Sequence, residues 1–103
     1  MTPAQRHIER VTHYGCILCI HMGLVEPNQV PAEYHHLEEE TGAAQRQDDW
    51  LGIGLCPPHH RVEYPDSVHT LKKDGIYRRY KVSELDLLAM VLRGVYGPLK
   101  RVA

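Results

Sequence analysis

The sequence has no phenylalanine, one tryptophan and only three cysteines in 103 residues. Without Phe, large rings for an interior must come from six Tyr and one Trp, whose polar ends need partners when buried. Three thiols cannot all pair internally, so a disulfide framework is a poor account of stability. Long apolar runs are missing too. Stretches such as Leu87-Leu88-Ala89-Met90-Val91-Leu92 fall far short of the roughly 20 residues that cross a bilayer. The opening Met1-Thr2-Pro3-Ala4-Gln5-Arg6-His7 and the residues up to Gly15 lack the apolar stretch of a secretory signal. These absences predict a soluble protein of the reducing cytoplasm, with no membrane partner.

A chain of this length is expected to form one domain over residues 1–103, too small for a large dinucleotide-binding sheet. So short a chain buries a small apolar core, and eight His beside three Cys suggest that bound metal supplements it. The formal charge of −1 hides an asymmetry: residues 1–60 hold three basic and eight acidic groups, residues 61–103 nine basic and five acidic. Metal bound among carboxylates and imidazoles would offset part of the acidity of the first segment.

Thr2-Pro3-Ala4-Gln5 predicts a helix start, with Thr2 as cap, Pro3 in the first turn and Gln5 completing a capping box. Ala4, Ile8 and Val11 then share a face, and Gly15 ends the helix before a tight turn at Cys16-Ile17-Leu18-Cys19. A loop over 21–31 leads to a strand over 32–36; Gly42 and residues 45–49 form a loop, and 53–55 a second strand. Cys56-Pro57-Pro58-His59-His60-Arg61 opens a helix that Pro65 should end. A short helix or turn follows over 67–73, before Asp74-Gly75. The last helix, over about 83–96, starts at Ser83 with Asp86 completing its cap and runs to Gly97-Pro98. Leu85, Leu88, Leu92 and Val95 line its apolar face, widened by Leu87 and Val91.

Cys16-x-x-Cys19 and Cys56-x-x-His59 are two half-sites that together supply four soft or borderline ligands, the set that tetrahedral zinc prefers. A closed set of four implies structural zinc. Ordinary buried thiols are the alternative, but they leave a polar His59 unexplained. His35, His36 and His60 remain once zinc is assigned. Neighbours on a strand point to opposite faces, so His35 and His36 should differ in role, one holding a metal and the other facing a substrate. One residue of helix turns His60 about 100° from His59, so the same knuckle can serve two sites. Core or exposed histidines without function are the competing reading.

Taken in order, Cys16-x-x-Cys19, Ala32-Glu33-Tyr34-His35-His36-Leu37 and Leu55-Cys56-Pro57-Pro58-His59-His60-Arg61 resemble the HNH, or His-Me finger, nucleases, in particular their phage recombination-enhancement branch. The resemblance covers about residues 8–80 in layout. It implies an α+β fold, a small zinc-stabilised ββα-metal, treble-clef-like domain with flanking helices. It also implies metal-dependent hydrolysis of DNA phosphodiester bonds, by nicking or in recombination. His36 matches the general base, His35 and His60 match ligands of a catalytic divalent ion, commonly Mg²⁺ with Mn²⁺, Ni²⁺ or Zn²⁺ as alternatives, and His69 resembles a late His that serves as a third ligand. The family's middle Asn is absent from Asp48-Asp49-Trp50-Leu51-Gly52-Ile53, where Asp49 can accept the same supporting hydrogen bond.

Arg46 and Arg61 are candidates to clamp a nonbridging phosphate oxygen. Lys72, Lys73, Arg78, Arg79 and Lys81, interleaved with Tyr77 and Tyr80, form the one concentrated basic stretch, suited to the backbone of single- or double-stranded DNA. The run Glu38-Glu39-Glu40 reads as a solvated face. The family branch suggests a recombination-filament protein as partner. A zinc-stabilised DNA- or protein-binding module without catalysis is the second reading; the surplus of His35, His36 and His60 separates the two, because a binder needs only the zinc ligands.

Overall fold

The computed structural model describes residues 1–37 and 48–97. Among them run α1 (Pro3–Tyr14), α2 (Ile17–His21), β1 (Glu33–His36), β2 (Gly52–Leu55), α3 (Pro57–His60), α4 (Val68–Tyr80) and α5 (Glu84–Tyr96). The strands pair antiparallel, with Glu33 opposite Leu55, Tyr34 opposite Gly54, His35 opposite Ile53 and His36 opposite Gly52. The result is an α+β fold in which a two-stranded sheet packs against helices, as in small ββα-metal and treble-clef-like domains. No described helix is long and apolar enough to cross a membrane.

Local signals account for most boundaries. Thr2 and Gln5 form the capping box of α1, and Ser83 and Asp86 that of α5. Gly15 ends α1 at φ 112°, a backbone state that favours glycine. Helices α1 and α5 pack on each other and both rest on β2. Contact between α1 and β2 is close at Gly54, where a Cβ would overlap the carbonyl of Gly15. Aliphatic side chains fill the interior: Val11, Ile17, Leu18, Ile53, Leu55, Ile76, Leu87 and Val91 are each at most 2% exposed.

Four details depart from the sequence expectation. Cys16 caps a short helix, α2, where a bare turn was expected. The helix opened by Pro57 stops at His60, well before Pro65. The break near residue 74 falls instead at Lys72, whose φ of 60° interrupts α4, while Gly75 is buried inside the second half against Leu71. The buried face of α5 is also rotated. Glu84, Leu87, Leu88 and Val91 point inward and Leu85 is 43% exposed.

Two substitutions test that rotation. Leu87→Ala should cost about 2–5 kcal/mol, as buried leucine truncations do. Leu85→Ala should stay within about 0.5 kcal/mol, as exposed sites do. Urea unfolding of the two variants measures the difference directly, and equal losses would place the face where the periodicity alone puts it.

In α1 two residues turn fully inward, Val11 and the polar His7, 1% exposed, with Ala4 and Ile8 only half-buried. The Nε2–H of His7 donates to the Trp50 carbonyl at 3.1 Å, which leaves Nδ1 to accept from the Tyr96 hydroxyl. The ring stacks on Trp50 and Tyr96, with centroids 4.9 and 5.6 Å away. Loss of solvation lowers its pKa, against the hydrogen bond to Trp50 that raises it. Protons therefore bind more readily to the unfolded chain. The contribution of His7 to stability is complete above the unfolded value near 6.5 and declines as the pH falls below it. His7→Phe should flatten the slope of stability against pH below about 6.5, measured by urea titration at each pH.

Candidate metal centres and the histidine pair

Cys16 caps α2 and accepts the Cys19 amide at 3.4 Å, so both thiols of the first half-site face one point. Cys56 and His59 bracket the first turn of α3 and complete the set. Sulfur to sulfur from Cys19 to Cys56 is 3.8 Å. Nδ1 of His59 lies 3.4, 3.5 and 3.1 Å from the sulfurs of Cys16, Cys19 and Cys56. Tetrahedral zinc, with bonds of about 2.3 Å to sulfur and 2.0 Å to nitrogen, has edges of about 3.8 and 3.5 Å, so the donor set fits that ion.

The electrostatics agree. Burial pushes the Cys16 thiol up, but hydrogen bonds from His59 and the backbone outweigh it and bring the group to about 7. Burial and the neighbouring Cys16 sulfur raise both Cys19 and Cys56. Three thiols so close cannot ionise together without a cation among them.

A second cluster joins His35 of β1, His60 of α3 and His69 of α4, with ligand nitrogens all within 4.8 Å of one another. Three nitrogen donors leave positions open on a bound ion, unlike the closed set of four. His35 is 3% exposed and the other two are half-buried. Carboxylates contact two of the rings: Glu33 Oε1 is 3.0 Å from His60 Nδ1, and Glu84 Oε2 is 2.7 Å from His35 Nε2. Carboxylate contacts of this kind fix the orientation of metal-binding imidazoles.

Alternation along β1 separates His35 from His36, whose side chain is 29% exposed. His36 Nε2 lies 3.0 Å from Asp49 Oδ1, and its ring meets Tyr34 edge-on with centroids 5.1 Å apart. The segment bearing Asp49 is pinned at several points. The Tyr34 hydroxyl donates to the Asp49 carbonyl at 2.8 Å, His7 holds the Trp50 carbonyl, and Asp48 Oδ1 accepts the Trp50 amide at 2.8 Å. Desolvation, then the charges of Asp49 and Asp48, raise the Tyr34 phenol, which stays a donor.

The basic candidates are placed less uniformly. Arg61 donates through Nε and Nη2 to Glu33, and that contact, joined by His60, pulls the Glu33 carboxyl down to about 2. Arg79 pairs with Asp66 at 3.3 Å and lies over the Tyr80 ring. Lys73 and Arg78 border an open hollow of about 520 Å³ with Asp74, Tyr77 and Ser83, while Lys72 and Lys81 are exposed at the kink and end of α4. Arg46 and Glu38 to Glu40 lie outside the described residues.

Glu33, Tyr34, Glu84 and His7 contact these groups although the sequence assigned none of them a role. Glu33 was within reach of the sequence, since alternation puts it on the same face as His35. No protein-family model, curated protein or solved structure matches the chain, so the two clusters and the small α+β frame around them are what characterise it.

Proposed function

We propose that this protein is a metal-dependent endonuclease of the His-Me finger type, hydrolysing DNA phosphodiester bonds at the His35–His36 strand. The observation that carries the reading is the division of labour on β1. His35 turns inward to meet His60 and His69, and His36 turns outward to Asp49. A structural adaptor needs neither the second cluster nor the oriented imidazole beside it.

Asp49 accepts from Nε2–H of His36, which leaves Nδ1 as the lone-pair nitrogen able to take a proton from attacking water. Tyr34 and His7, by holding the Asp49 and Trp50 carbonyls, keep that carboxylate in register with the ring. His35, His60 and His69 would hold one divalent ion, which when bound supplies positive charge to the phosphoryl group and the departing sugar oxygen. Three imidazoles favour Mn²⁺, Ni²⁺ or Zn²⁺ over Mg²⁺, which prefers oxygen donors. Lys72, Lys73, Arg78 and Lys81 along α4 are proposed to contact DNA phosphates, so that binding weakens with salt.

Incubation of zinc-loaded protein with supercoiled plasmid and with single-stranded DNA, in Mn²⁺, Ni²⁺ or Mg²⁺, tests the proposal. Nicked or linear product that depends on the added ion and on His36 is expected. Folded, metal-loaded protein that cleaves neither substrate under any of these ions would exclude the activity and favour a binding module.

A further inference from the structure

We infer that Glu84 is a positioning residue of the three-histidine centre: it holds Nε2–H of His35 from the first turn of α5 and so dedicates Nδ1 of that ring to the ion. The inference rests on reading His35, His60 and His69 as a metal centre. It adds a group that is remote in sequence and belongs to no motif.

Three observations carry it. The Glu84–His35 contact, at 2.7 Å, is the shorter of the two carboxylate contacts to the cluster. Both side chains are buried, 8% and 3% exposed, whereas Glu33 beside His60 is 32% exposed and shared with Arg61. Helix α5 presents Glu84 at a position where its own apolar periodicity would place a leucine, and leaves Leu85 in solvent.

Burying a carboxylate is costly unless positive charge compensates it. Among the described residues no Lys or Arg forms an ion pair with Glu84; its carboxylate meets the His35 imidazole. A cation on the opposite nitrogen of that imidazole supplies the compensation. The hydrogen bond in turn fixes the tautomer, makes the ring a better donor and stops it rotating. Because α5 also packs on β2 and α1, the centre is tied to the core by more than the strand that bears His35.

The test is Mn²⁺ binding to protein already carrying one equivalent of Zn²⁺, without DNA, followed by electron paramagnetic resonance for wild type and Glu84→Gln. A loss of about 10- to 100-fold in affinity is expected, with zinc content unchanged. Wild-type affinity in folded Glu84→Gln would overturn the positioning role, and wild type that takes up no Mn²⁺ would overturn it together with the metal centre. Should Glu84→Gln not fold, ¹⁵N spectra of wild-type His35 decide the matter. A second equivalent of diamagnetic Zn²⁺ should perturb Nδ1 while Nε2 keeps its proton, and coordination through Nε2 refutes the inference. Metal binding as expected with no cleavage of DNA would leave this role standing and remove the nuclease reading instead.

Discussion

Cys16→Ser is expected to leave the chain largely unfolded and to abolish zinc binding by the Cys16, Cys19, Cys56 and His59 set. Binding of structural zinc to thiolate sites is worth about 10–16 kcal/mol at neutral pH, and because the site does not exist in the unfolded chain this energy appears as folding energy. Small domains have about 5–15 kcal/mol of net stability, so the ion accounts for as much as the whole margin. The position of the ligands sharpens the expectation. Cys16 stands at the start of α2 beside Ile17 and Leu18, both fully buried, while Cys56 and His59 hold the one-turn helix α3. A helix of four residues has little stability of its own. Loss of the ion should release α3, and with it His60, so the second cluster is lost along with the first. Circular dichroism, a thermal melt and zinc analysis of Cys16→Ser measure this. His69→Ala, which removes a ligand of the second cluster and none of the first, should keep the zinc and the cooperative melt. A Cys16→Ser protein with wild-type melting temperature would show that the thiols are ordinary core residues.

What the sequence revealed and what it hid follow one physical line. The Cys16, Cys19, Cys56 and His59 cluster was legible because a two-residue gap is a local constraint: Cys16 with Cys19, and Cys56 with His59, meet within one turn. The separation of His35 from His36 needed only the period of a strand. Asp49 was legible as a hydrogen-bond partner for His36 from its place in the 48–53 segment, and its Oδ1 lies 3.0 Å from His36 Nε2.

The hidden contacts are long-range. Glu84 is 49 residues from His35 and reads as a favourable acid in the first turn of a helix, so nothing local distinguishes it from a solvated cap residue. His7 is 43 residues from Trp50 and 89 from Tyr96, and a polar residue on a short amphipathic helix reads as an exposed one. In both cases a polar side chain with a long-range hydrogen bond shares the inward face with aliphatic residues, Val11 in α1 and Leu87, Leu88 and Val91 in α5. The rotated face of α5 includes Glu84 for this reason. Periodicity alone gives Leu85 to the core, whereas the contact with His35 gives that place to Glu84.

His36→Ala should lower DNA cleavage by about 100- to 10,000-fold, the usual contribution of a positioned general base, while leaving zinc content and Mn²⁺ uptake intact. The asymmetry between the two readouts gives the experiment its force. His35 and His60 belong to the cluster, so replacing either should lose the second ion and the activity together. His36 lies on the other face of the same strand, so its loss should separate them. Asp49→Asn keeps an oxygen that can accept from Nε2 but removes the charge that stabilises the ring once it has taken a proton, and should therefore lose activity by a smaller factor than His36→Ala. Tyr34→Phe, which leaves the Asp49 side chain in place and frees only the carbonyl behind it, should lose less again. That order, His36 before Asp49 before Tyr34, follows distance from the transferred proton. Variants that lose metal in proportion to activity would instead mark β1 as a metal-binding strand whose base lies elsewhere.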